Sequence, residues 1–199
     1  MTTPSTHTKA GWTLINFLPA GSWWRVLAVL VGTAAMSLGA QVSTPTLGDV
    51  PGTLQPLAAL LVGAALGPWL GALAVAIYVV AGALGAPIFA GGASGYGGPT
   101  SGYFLGFIVA AFIVGLITRR ACTRELSAAA PRVILAMLAG LAAIYIGGIT
   151  WLVTDVGLSL SDAMSAGFSP FIIGDLLEAL IASAIVIALA SRMRISPTN

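Results

Sequence analysis

Charge is scarce in this chain. Its 199 residues carry eight Lys or Arg and six Asp or Glu, 7% in all, against roughly 25% in an ordinary soluble domain. So few charges cannot cover a soluble surface, and most of the surface is expected to face lipid. Cysteine occurs once, at Cys122, which rules out an intrachain disulfide framework and a four-cysteine zinc site. Histidine also occurs once, at His7 in the polar N-terminal segment, so a histidine metal site or a Ser-His-Asp triad is hard to build. Lysine is limited to Lys9, so no G-x-x-x-x-G-K-[ST] phosphate loop exists. No enzymatic machinery and no cofactor are expected. The basic residues are too few and too scattered for nucleic acid.

What remains is apolar: 58% of the residues are hydrophobic. The expected class is an all-α integral membrane protein with about six spans of about 20 residues each. The first helix is expected over 24–40, after an interfacial aromatic pair, Trp23 and Trp24. A stretch of 69 residues without charge separates Asp49 from Arg119. It is too long for one span, and glycine and proline punctuate it. A second helix is expected over 57–66, a tight break at Gly67-Pro68-Trp69, and a third helix ending near Leu84. A glycine-rich loop follows over 85–99, with Gly91, Gly92, Gly95, Gly97 and Gly98. Helices four and five are expected over 100–118 and 133–154, a polar loop over 155–169, and helix six from Pro170 to about Ser191. The domain reading is a flexible tail over 1–22, a membrane domain over 23–192 and a short tail over 193–199.

Orientation follows from the cations. Lys9, Arg25, Arg119, Arg120, Arg124, Arg132, Arg192 and Arg194 all fall on one side of a six-span topology. Positive loops stay cytoplasmic, so both termini are expected inside. The three outer loops, near 41–56, 85–99 and 155–169, hold Asp49, Asp155 and Asp162 and no cation.

Candidate site residues each admit two readings. Asp175 and Glu178 lie three apart on one helix face. They either face a cavity or partner, as intramembrane acids usually do, or sit at the waterline as first-turn acids favoured by the helix dipole. Gly91, Gly92 and their neighbours either let backbone approach a ligand or form a plain connector. Gln41, Thr53 and Gln55 either bond a ligand or meet water. Tyr78, Tyr96, Tyr103, Tyr145, Trp151 and Phe168 are aromatic walls or interfacial anchors. Gly98, Gly102, Gly106 and Ala110 recur every four residues and give helix four a smooth packing face. Helix one carries two similar pairs, Ala28/Gly32 and Ala35/Gly39, which serve either packing within the chain or another membrane subunit.

Several motifs occur together: SLGAQVSTP at 37–45, PGTLQ at 51–55, LVGAALGPWLGAL at 61–73, YVVAGALGAPIFAGG at 78–92, GPTSGYFLGF at 98–107 and PFIIGDLLEAL at 170–180. In this order and spacing the chain resembles the BioY family, the biotin-binding S components of energy-coupling-factor (ECF) vitamin transporters, over roughly residues 30–190. The resemblance implies a six-helix bundle of the S-component type in a prokaryotic cell membrane. It implies capture of biotin from outside and passage inward, and as partners a membrane-embedded coupling protein and two ABC-type ATPases. Ligand contacts are then expected from Asp175, Glu178, Tyr103, Gly91, Gly92, Thr100, Gln41, Gln55 and Phe171. The coupling protein is expected to meet Ala28, Gly32, Ala35 and Gly39. Family members commonly read G-D-x-x-K at the start of helix six; here Glu178 stands in the lysine's place. The rival reading is an autonomous secondary or proton-coupled carrier of biotin or another vitamin, using Asp175 and Glu178 as a titrating pair.

Overall fold

The computed structural model describes residues 21–46, 52–121 and 126–195. The expected tail over 1–22 falls almost wholly outside these residues, as do His7, Lys9, Asp49, Cys122 and Arg124. Among the described residues six α-helices are formed: α1 (Ser22–Gln41), α2 (Gln55–Ala83), α3 (Ser101–Ala121), α4 (Leu126–Thr154), α5 (Leu160–Gly167) and α6 (Ile172–Ile195). A two-stranded antiparallel ladder, β1 (Ser43–Thr44) with β2 (Gly52–Thr53), sits between α1 and α2 and pairs Ser43 with Thr53. Among the described residues, five helices are long and apolar enough to cross a membrane: α1, α2, α3, α4 and α6.

The second of these is not straight. Gly67 has φ 80° and ψ −179°, a conformation open essentially to glycine alone. Pro68 follows, removing an N–H and disfavouring helix at the residue before it. The two arms, 55–66 and 68–83, run back along each other. A Cβ on Gly71 would lie 2.9 Å from the Gly63 Cα, and at the open end the Gln55 Nε2 donates to the Tyr78 hydroxyl at 2.8 Å. The expected break is therefore a full reversal.

α3 is the central helix, packed most extensively against α2 and α4. Small residues permit this. Gly106 would bring a Cβ within 2.7 Å of the Ile144 backbone, and Gly102 abuts Trp151 and Gly147. Gly102, Gly106 and Ala110 of the expected four-residue repeat thus serve packing inside the chain, whereas Gly98 precedes α3 and is exposed, with nothing against the place a Cβ would take. At its other end Gly115 fits against Gly67 and Pro68 in the reversal. α1 lies on α2, where the Thr33 hydroxyl donates to the Ala74 carbonyl at 2.9 Å, and α6 lies on α4 and α2. Met36, Leu60, Val75, Tyr78, Val114, Met137 and Ile144 form the centre of the core. Large apolar side chains also cover the outside, Leu38 and Ile146 each being 68% exposed. An apolar exterior on this scale is built for lipid.

Two expectations change. The segment 155–169 is not all loop: it contains α5, whose N-cap Ser159 accepts from the Asp162 N–H and donates to the Asp162 carboxylate. α4 begins at Leu126, earlier than 133, and Pro131 lies within it.

The bundle has two chemically distinct ends. Arg25, Arg119, Arg120, Arg132 and Arg192 stand at one, with the α2 reversal. At the other lie the end of α1, both ends of α2, the start of α3, the end of α4, α5 and the start of α6. All of these come from sequence without a single cation.

Candidate functional site

The cation-free end contains a cleft of about 370 Å³, within the range of roughly 300–1,000 Å³ usual for small-molecule sites. Its floor is buried and its rim is open. On the floor Phe89 stacks on Phe104 at 4.2 Å between centroids and meets Tyr78 edge-on at 5.4 Å. Gln55, 6% exposed, adds a carboxamide. That amide is fixed from both sides, accepting from the Thr53 hydroxyl at 2.9 Å and donating to Tyr78. One N–H and one carbonyl lone pair remain on it. Ser101, 1% exposed, accepts from the Gly97 N–H at 2.9 Å and holds the loop to the start of α3.

The rim is the segment 93–100, exposed throughout. Tyr96 lies edge-on to Trp151, and the Trp151 indole donates to the Gly98 carbonyl at 3.1 Å, tying the rim to α4. Thr100 lines the rim. Gly91 and Gly92 form a short 3-10 turn, Ala90–Gly92, with φ of 65° and 75°. They turn the chain between Phe89 and the rim, and their neighbours Ala90 and Ala93 line the cleft. Gln41 acts one layer behind: its Nε2 donates to the Phe89 carbonyl at 2.9 Å, tethering α1 to the loop beneath the floor.

A second polar cluster joins α3, α4, α5 and α6. The Tyr145 hydroxyl donates to the Asp175 Oδ2 at 2.6 Å, and its ring lies edge-on to Phe168. The Tyr103 hydroxyl donates to the Gly167 carbonyl at 2.7 Å, closing α3 onto α5. One oxygen of Asp175 is thus held while the other keeps its lone pairs. Also on α6 is Glu178, 5% exposed, whose Oε2 accepts from the Leu57 N–H at 2.9 Å. Leu57 lies in the first turn of α2, where backbone N–H groups have no partner within the helix. The carboxylate fills that role and faces the positive end of the dipole. Phe171 packs near Gly52 of β2, covering the start of α6.

Of the expected residues, the cleft therefore gathers Gln55 and Thr100 on its lining, with Gly91 and Gly92 beside it and Gln41 behind. Asp175 and Tyr103 belong to the neighbouring cluster. Phe89, Phe104 and Ser101 were not singled out by the sequence, although an aromatic inside the Gly/Pro run 85–99 is itself a signal. The four small residues expected at a partner divide by burial. Gly32 and Gly39 are buried against α2: their Cβ atoms would lie 3.0 Å from Ala74 and 2.9 Å from the Leu54 carbonyl. Ala28 and Ala35 are half-buried. Small residues here let α1 approach α2, and the exposed side of α1 carries Val26, Leu27, Leu30, Val31 and Leu38.

Long apolar helices with an apolar exterior, two chemically distinct ends and a cleft at one of them mark a multi-pass membrane protein of the small-molecule-binding kind. The chain belongs to the BioY family, whose sequence profile matches residues 13–195. A protein named "Probable biotin transporter BioY" from Pyrococcus horikoshii is 41% identical over 166 residues, covering 82% of this chain and 93% of the relative. A "Biotin transporter BioY" from Rhodobacter capsulatus is 39% identical over 163 residues, covering 76% and 85%. Among solved structures, the S-component for biotin from an ECF-type ABC transporter has the same fold, with a TM-score of 0.71 at 23% identity over 87% of this chain and 95% of that one.

Proposed function

We propose that this chain is the biotin-capturing S component of an ECF transporter in a prokaryotic cytoplasmic membrane. The observation that carries the reading is the floor-and-rim cleft at the cation-free end of a BioY-family bundle. An apolar bicycle rests against the stacked Phe89–Phe104 pair. The ureido group reaches from the unspent N–H and lone pair of Gln55 toward the free oxygen of Asp175. Gly91, Gly92 and Thr100 shape the entrance, while Gln41, Tyr103, Phe171 and Glu178 hold the walls.

The chain crosses the membrane six times in this reading, because each arm of α2 runs between the two ends. The first arm starts beside Gln55 at the cation-free end, and the reversal lies against Gly115, a turn from Arg119. Cations stay cytoplasmic, so both termini are inside and the cleft opens outward. The coupling protein meets the exposed strip of α1, and two ABC-type ATPases hydrolyse ATP. An autonomous proton-coupled carrier is the poorer account, since Asp175 and Glu178 both have structural partners.

Calorimetry of the purified chain tests the reading. Saturable heat with biotin and none with thiamin is expected. Binding of thiamin instead would reassign the ligand.

A further inference from the structure

The two ends of the cleft differ in what they can hold. Its floor is made of Phe89, Phe104 and Gln55, all buried. Its rim is wholly exposed. Nowhere along the cleft is there a cation to meet a carboxylate: the sequence has no Lys or Arg from Val26 to Thr118, which contains every lining residue, and none from Val133 to Ser191. Asp175 and Glu178, the acids of α6 at this end, supply no positive charge in either protonation state. Moving a carboxylate into an apolar site without a partner is costly. A ligand with a neutral ring system and a carboxylate tail therefore enters ring first. The tail stays at the rim in water, where its charge contributes little to affinity.

From this we infer that the site takes biotin whose carboxyl group is joined to an amine, as a neutral N-alkyl amide, as well as it takes free biotin. The inference rests on the biotin reading above and extends its substrate class to biotinyl amides, including biotin linked to the side-chain amine of lysine. Three features support it. The donors along the cleft, Gln55, Thr100 and Ser101, are neutral and serve an amide carbonyl as readily as a carboxylate. The rim segment has no element folded over it within the described residues, so a substituent beyond the amide projects into water. The buried floor reads only the ring.

The test uses the full chain purified in detergent, with biotin, biotin N-methylamide and the lysine conjugate as titrants. Both amides are expected to bind within about threefold of biotin, and a loss of about tenfold or more for the methylamide would overturn the inference. If neither biotin nor its amides bind, the biotin reading itself falls and this inference with it. A second arm installs the missing cation at the exposed rim. Ser94→Lys, at an exposed rim position lining the cleft, is expected to tighten biotin by about threefold to tenfold and leave the methylamide unchanged. Equal affinities for acid and amide in that variant would place the tail away from the rim and overturn the proposed pose.

Discussion

The arginine end and the cation-free end of this bundle are built on opposite principles. At the arginine end backbone packs on backbone: Gly63, Gly67, Gly71 and Gly115 bring the two arms of α2 and the end of α3 together with no side chain between them. At the cation-free end polar side chains hold the elements apart and in place. Gln41 tethers the loop, Gln55 bridges the arms of α2, Tyr103 and Tyr145 link α3 and α4 to α5 and α6, and Glu178 joins α6 to α2. The contrast says where binding resides and what it does not provide. A ligand on the Phe89–Phe104 floor has no side-chain-lined path through the Gly63–Gly115 contact. Passage inward requires the chain to move as a body or to change shape.

The comparison is broken most severely by enlarging the sealed end. Gly115→Leu is expected to abolish folding and expression, since even a Cβ collides with the Gly63, Gly67 and Pro68 backbone. Gly102→Leu, near the cation-free end, should do the same against Trp151 and Gly147. Normal expression and melting of either variant would show that α3 does not pack this way. Orientation gives the next clear-cut result. In a Cys122→Ala background, Ser161→Cys on the exposed side of α5 should react with an impermeant maleimide on intact cells, and Ser196→Cys should not. The reverse labelling would turn the whole protein over.

Affinity should respond next. Asp175→Asn keeps the shape and leaves the Tyr145 hydroxyl an acceptor, but presents N–H groups where a ureido N–H needs an acceptor. A hydrogen bond to a charged acceptor contributes about 1.5–3 kcal/mol, so biotin binding should weaken about tenfold to a hundredfold. Unchanged affinity, together with loss of binding in Gln55→Leu, would confine recognition to the cleft and leave Asp175 as a strut between α4 and α6.

Much of this architecture was legible in the chain. Gaps between charges mark the long helices, Gly67-Pro68 marks the reversal, and the four-residue spacing of Gly102 and Gly106 marks the α3 packing face. What escaped was the pairing of residues distant in sequence. Periodicity shows that α1 has a small-residue face, but not whether that face meets α2 or another subunit. Gly32 and Gly39 prove to face α2. Nor does it show that Phe89 folds under a glycine loop to meet Phe104, or that Tyr145 reaches Asp175. α5 carries a Ser159-x-x-Asp162 cap, yet Asp155 and Asp162 make 155–169 read as a polar loop. Glu178 looked like a site residue because an acid in a membrane helix usually is one. Its partner is a backbone N–H in α2, which no local pattern reveals.

The smallest expected effects come from Glu178 itself, and they separate its two roles. As a ligand contact it would act on affinity; as the partner of Leu57 N–H it acts on stability. Glu178→Gln retains a carbonyl oxygen that can accept from Leu57 and loses the interaction of a carboxyl group with the helix dipole. Its cost should be about 1 kcal/mol or less, a shift of about 2–4 °C in melting for a chain of this size, with biotin affinity nearly unchanged. Glu178→Lys removes the acceptor, leaves a buried N–H unpaired and sets an ammonium against the positive end of α2. A loss of about 1–3 kcal/mol is expected, again read in melting and not in the affinity of the fraction that remains folded. Melting curves of the two variants beside biotin titrations decide the matter. Glu178→Gln melting like wild type but binding biotin more than tenfold more weakly would make the acid a direct ligand contact, and the cleft would then extend across α6.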